Sequence, residues 1–137
     1  MLVLTERKTR YEIVMKIASK NAESVVNALG KLKRRYRKRF KKVFLSITVD
    51  NGCEFSDYDS MKVFAPIYYC HPYSSWERGS NENANSIIRR WIPKGADMNK
   101  VTVKQVQFVE NWINNYPRKV IGTTSQKAFN TELEQLQ

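Results

Sequence analysis

Val43-Phe44-Leu45-Ser46-Ile47-Thr48-Val49-Asp50-Asn51-Gly52 is the stretch on which the fold turns. A run of apolar and β-branched residues carries no charge, then stops at an acidic residue and a turn dipeptide. Such a run suits a central strand covered on both faces. Asp-Asn-Gly supplies the side chains and the small residue that a sharp exit requires. Asp50 then lies just past the carboxyl end of a strand, where ligands gather in open α/β sheets.

Working outward, Leu2–Leu4 and Tyr11–Ala18 read as two strands, with Tyr11, Ile13, Met15 and Ile17 alternating on one face. Asn21 is placed to cap a helix running to about Phe40, with Ala22, Val25, Val26, Leu29, Leu32 and Tyr36 as its apolar stripe. A short helix fits between Ser56 and Phe64, and Ile67–Cys70 reads as a further strand. His71–Gly79 carries loop chemistry, and a helix starts near Ser80 and runs to Ile92, stopped by Pro93 and Gly95. Thr102-Val103-Lys104-Gln105 is a capping-box pattern. The helix it opens is expected to bury Val106, Val109, Trp112, Ile113 and Tyr116, and Trp91 is expected in the core. A last helix from about Ser125 buries Ala128, Phe129, Leu133 and Leu136. Strand, strand, helix, strand, strand and then helices make an α/β domain with a mixed sheet, residues 1–137 forming one unit.

The 137 residues are 42% hydrophobic and 12% aromatic, which argues against disorder. No apolar run reaches the roughly 20 residues of a membrane span. The first residues meet charge at Glu6, too soon for a secretory signal. Cys53 and Cys70 lack metal-ligand spacing and read as reduced thiols. Net charge is +11, from 24 basic and 13 acidic residues. Nine of the basics fall within Lys31–Lys42: Lys31, Lys33, Arg34, Arg35, Arg37, Lys38, Arg39, Lys41 and Lys42. No acidic residue interrupts them, so contact with a nucleic acid is favoured over a merely solvated face.

Glu82 follows Asp50 by 32 positions. At 100° per residue, Ala84, Ile87, Ile88 and Trp91 share one side of its helix and Glu82 falls opposite, beside Asn85, Ser86 and Arg89. Taken alone, it is a surface glutamate suited to a helix N-terminus, and Asp50 is a turn residue. Together, a carboxylate after a strand and one on a later helix can hold hard divalent cations for phosphodiester chemistry.

Val49-Asp50-Asn51-Gly52-Cys53-Glu54-Phe55 and Pro72-Tyr73-Ser74-Ser75-Trp76-Glu77-Arg78-Gly79-Ser80-Asn81-Glu82-Asn83-Ala84-Asn85 together resemble the core of DDE transposases. So do Thr5–Tyr11, Pro93-Lys94-Gly95 and Asn114-Asn115-Tyr116-Pro117-Arg118-Lys119. The set is similar to the insertion-sequence-thirty family, within the retroviral-integrase group. The resemblance implies an RNase H-like fold, a five-stranded mixed sheet flanked by helices. It implies metal-dependent DNA cleavage and strand transfer, with Asp50 and Glu82 as the second and third acidic ligands of Mg²⁺ or Mn²⁺. DNA, as transposon ends and target, is the implied partner, in a bacterial cytoplasm and near the nucleoid. Lys31, Lys33, Arg34, Arg35, Arg37, Lys38, Arg78, Asn81, Asn85, Arg89 and Arg90 are the candidate DNA contacts.

The family's first aspartate lies on a strand upstream of the segment matching Thr5–Tyr11, and no acidic residue precedes Thr5 here. Asp57, Asp59 and Asp97 lie in the wrong parts of the chain to replace it. The expectation is therefore a core truncated at its N-terminus, lacking the first strand and inactive alone. Glu54 and Glu77 match no ligand position, and Trp76 could either stack on a base or pack under its loop. The alternative is a non-catalytic basic nucleic-acid-binding or dimerisation module. An unpaired sheet edge would favour a homodimer or higher oligomer.

Overall fold

The computed structural model describes residues 1–74 and 79–136. The architecture is mixed α/β, built from two compact units. Among the described residues, one unit holds 1–16 and 79–135, and the other holds 17–74 and Leu136.

The first unit begins with β1 (Leu2–Thr5) and β2 (Glu12–Met15), an antiparallel pair in the register Leu2↔Met15 to Thr5↔Glu12. Glu6 organises the turn between them by accepting from the backbone N–H groups of Lys8 and Thr9. α4 (Gly79–Ile88) and α5 (Val103–Asn115) pack beside this hairpin. Val14, Ala84, Ile88, Ile92, Val106, Val109 and Ile113 form the shared core. The capping box of α5 is present. Gln105 N–H donates to Thr102 Oγ1 at 3.1 Å, and Thr102 N–H donates to Gln105 Oε1 at 2.7 Å. β5 (Pro117–Arg118) and β6 (Thr123–Thr124) form a short antiparallel ladder absent from the expectation, and α6 (Ser125–Gln135) follows. Tyr11 stacks on Phe129 of α6 at 4.2 Å between centroids. Phe129 is the apolar residue that α6 buries fully; Ala128, Leu133 and Leu136 are only partly covered.

Alternation along β2 places Glu12 and Val14 on an outer face, yet both are buried. The cause is α5. Asn114 Oδ1 accepts from Glu12 N–H, Asn114 Nδ2 donates to Glu12 C=O, and Glu110 Oε2 accepts from Val14 N–H, each at 2.8 Å. Side chains of a helix thus complete the outer edge of a strand. Burial lifts the Glu12 carboxyl from 4.5 to about 7, against the lowering effect of the Thr5 hydroxyl and the Arg118 and Arg10 charges.

In the second unit, α1 (Ala22–Tyr36) is capped by Asn21, whose side chain accepts from Ser24 N–H at 2.9 Å. The helix stops before Phe40 because Arg37 takes a left-handed φ of 50°. A 3₁₀ turn (Arg37–Arg39) and α2 (Phe40–Val43) follow. The break turns Phe40 inward, where it stacks on Phe44 at 4.6 Å and meets Phe64 edge-on. β3 (Ile47–Val49) is shorter than expected and covered on one face only. Val43 is helical, Leu45 is 73% exposed, and Thr48 points outward between the buried Ile47 and Val49. β4 (Ile67–Tyr69) pairs with β3 in parallel, Ile47↔Ile67 to Val49↔Tyr69. α3 (Tyr58–Met61) lies between them in sequence, capped by Asp57, whose carboxyl is held below its usual range by hydrogen bonds from Ser60. Among the described residues the strands form three two-stranded sheets, and no strand joins them into one. No helix there is long and apolar enough to cross a membrane.

Candidate metal and nucleic-acid site

Asp50 follows β3 directly and is half-buried, with its Oδ1 accepting from Gly52 N–H at 2.9 Å. Asn51 donates through Nδ2 to Cys70 C=O at 3.2 Å, tying the turn to the end of β4. A 3₁₀ turn (Cys53–Phe55) then brings Glu54 back over the same spot. A Cβ added at Gly52 would stand 2.5 Å from Glu54 Oε2 and 2.9 Å from Asp50 Oδ1. The two carboxylates therefore converge above a glycine that leaves room for both. Lys20 Nζ lies 3.5 Å from Glu54 Oε1 and holds that side chain, whose exposure is 13%. Sequence reasoning puts Glu54 near the site but at no ligand position. The available signal is the glycine, between two acids spaced four residues apart.

Carboxylate oxygens suit Mg²⁺ or Mn²⁺, so the donor chemistry of Asp50 and Glu54 fits such an ion. Among the described residues, no three His, Cys, Asp or Glu side chains gather closely enough to enclose one.

Glu82 sits in the first turn of α4 and is exposed, in keeping with its helical phase. Around it, Asn81 Nδ2 donates to Val3 C=O at 3.2 Å, and Asn85 Nδ2 donates to Asn81 Oδ1 at 2.9 Å. These amides tie α4 to β1, and Arg10 hydrogen-bonds Ser80 at the start of the same helix. Asp50 and Glu82 belong to different units.

All nine basics of Lys31–Lys42 are exposed, including the candidate contacts Lys31, Lys33, Arg34, Arg35, Arg37 and Lys38. Arg89 and Arg90, just past the end of α4, are exposed as well. Arg78 lies outside the described residues, as do Trp76 and Glu77. Cys53 is an exposed thiol and Cys70 a buried one.

These features define a basic mixed α/β chain with paired carboxylates at a strand end and a broad cationic surface. No family model matches it. Its homologues include insertion-sequence transposases. It is 40% identical over 124 residues to the transposase for insertion sequence element IS4351 of Bacteroides fragilis, a match covering 89% of this chain and 37% of that protein. It is 33% identical over 128 residues to transposase InsI for element IS30C of Escherichia coli (strain K12), covering 92% of this chain and 33% of that one. The transposase for element IS1086 of Cupriavidus metallidurans is 27% identical over 122 residues, covering 88% and 35%. Most of the chain is thus homologous to a segment of transposases, those of the insertion-sequence-thirty elements among them. It spans about a third of the length of these curated relatives.

Proposed function

We propose that the chain is the catalytic-core segment of a transposase, acting in metal-dependent cleavage and strand transfer of DNA on an RNase H-like framework. Two strands, a helix, two further strands and a carboxylate-bearing helix follow in the order that such a framework requires. The observation that carries the reading is Asp50 at the carboxyl end of a parallel strand, with Glu54 brought against it over Gly52. Asp50 and Glu82 would hold Mg²⁺ or Mn²⁺, and Glu54 would steady the Asp50 end. When bound, such an ion activates an attacking oxygen and stabilises the leaving one. The chain's own residues orient the carboxylates, through Gly52 N–H on Asp50 and Lys20 on Glu54. The exposed basics of Lys31–Lys42 attract the phosphates of transposon and target DNA. On this reading the protein works on the DNA of a bacterial cytoplasm, as a homodimer or larger assembly.

These 137 residues supply two of the three carboxylates implied by the resemblance, so ion binding is expected to be weak and strand transfer absent. Titration of the chain with Mn²⁺, followed by electron paramagnetic resonance, should show binding that falls at least about tenfold in Asp50→Ala. Equal binding by the variant, or robust metal-dependent cleavage of DNA by this chain, would overturn the reading. A second reading, a non-catalytic basic module that binds nucleic acid or dimerises, draws on the nine exposed basics. It requires duplex binding without metal and indifference to Asp50→Ala.

A further inference from the structure

α4 ends at Ile88, earlier than the apolar spacing of its sequence suggests. Two backbone bonds to Ile88 C=O, from Trp91 N–H and Ile92 N–H, wind the chain into a tight turn. Ile92 enters the core and Trp91 is left 44% exposed. There it meets Phe108 at 5.1 Å and Trp112 at 5.4 Å, and Trp112 stacks on Tyr116 at 5.3 Å. Phe108 is 53% and Tyr116 55% exposed. The result is an open row of four aromatic rings along the outer side of α5. Apolar spacing alone puts Trp91 and Tyr116 in the core. Early termination of one helix and the end of the other at Asn115 displace both from helical phase.

Among the described residues, exposed cations flank this row in sequence. Arg90 is exposed immediately before Trp91, and Lys104 is exposed one helical turn before Phe108. The single carboxylate of α5, Glu110, is turned inward onto Val14 N–H. Any partner covering the rings must supply negative charge to these cations, or desolvate them at a cost. A polyanion supplies phosphates to them while its bases meet the rings.

We propose that this row is a stacking platform for unpaired bases of DNA, with Arg90 and Lys104 holding the flanking phosphates. Unpaired bases are required because a ring face can stack only on a base that has left its duplex neighbours. The inference rests on DNA being the substrate, as proposed above, and adds a single-strand site away from the carboxylates. Transposition exposes free strand ends, and such a platform would keep one from re-pairing.

The test is binding of a fluorescein-labelled oligothymidine strand and of a duplex of equal length to the 137-residue chain, across a salt series. Phe108→Ala and Trp91→Ala should weaken strand binding by roughly five- to a hundredfold, leaving duplex affinity and the salt slope unchanged. Phe108→Leu, which keeps an apolar side chain and removes the ring, should do the same in a protein whose circular dichroism is unaltered. Strand affinity unchanged in all three variants would overturn the platform and leave the carboxylate reading standing. So would sedimentation showing a wild-type dimer that Phe108→Ala dissolves, because a second copy would then cover the row. If the wild type binds neither strand nor duplex, both proposals fall.

Discussion

The antiparallel pair β1–β2 and the parallel pair β3–β4 are of similar size but are secured in opposite ways. The outer edge of β2 is completed by Asn114 and Glu110, side chains about a hundred positions away in sequence. Its register is fixed by the turn, by the ladder and by those bonds together. β3–β4 has three residues in each strand, and its reinforcement is local: backbone bonds from Ile47 to Pro66 and from Cys70 to Val49, plus the Asn51 amide on Cys70. The first pair is therefore a buried polar assembly whose parts must all be present. The second is a short scaffold that delivers Asp50 to its end and leaves it half-open to solvent. Stability is expected to concentrate away from the proposed site.

The largest effect is expected at Asn114. Asn114→Ala leaves the N–H and C=O of Glu12 buried without partners and opens a void, which together cost about 3–5 kcal/mol. Urea unfolding measures this, and a loss below about 1 kcal/mol would mean that the edge is not sealed by α5. Glu12 comes next. Because its folded-state pKa is raised, the folded chain holds a proton that the unfolded chain releases above its ordinary value. Its contribution to stability is therefore fullest below pH 4.5 and is lost as pH rises towards about 7. The loss is on the order of 3 kcal/mol, since a tenfold change in proton affinity corresponds to about 1.36 kcal/mol. Glu12→Gln keeps a partner for the Thr5 hydroxyl and removes the titration. The wild type should accordingly lose stability relative to this variant between about pH 5 and pH 8. Parallel pH profiles for the two proteins would show that the Arg118 charge, 3.7 Å away, already compensates the burial.

What was legible in the sequence was local. Asn21 as a cap and the Thr102–Gln105 capping box depend on residues three apart, and both are present. The helical phase of Glu82 also held, because Ala84 and Ile88 bury opposite it. What could not be read depended on distant partners. Glu12 looks solvent-facing from its alternation, and the distant Asn114 and Arg118 help to make it a core residue. The left-handed turn at Arg37 has no local signature; it accompanies the burial of Phe40 against Phe44 and Phe64. Of the site, Asp50 was visible from its place after an apolar run. Glu54 was visible only as a neighbour without a ligand position; its convergence on Asp50 was not, because a 3₁₀ turn had to fold it back over Gly52 beside Lys20.

Gly52 gives the smallest expected change in stability and the sharpest separation of the two regions. Its φ of −64° and ψ of 146° are open to alanine, so Gly52→Ala should gain about 0.4–1 kcal/mol by restricting the unfolded chain. Against this, the new Cβ displaces the tips of two carboxylates, the nearer at 2.5 Å. The net change in unfolding free energy should stay under about 1 kcal/mol. Mn²⁺ affinity should nonetheless fall about tenfold, because the oxygens no longer converge. A destabilisation as large as that of Asn114→Ala would instead show that Glu54, through Lys20, anchors the start of α1. The acidic turn would then be a structural clamp in the same sense as the Asn114 edge, and its carboxylates would owe their placement to folding rather than to an ion.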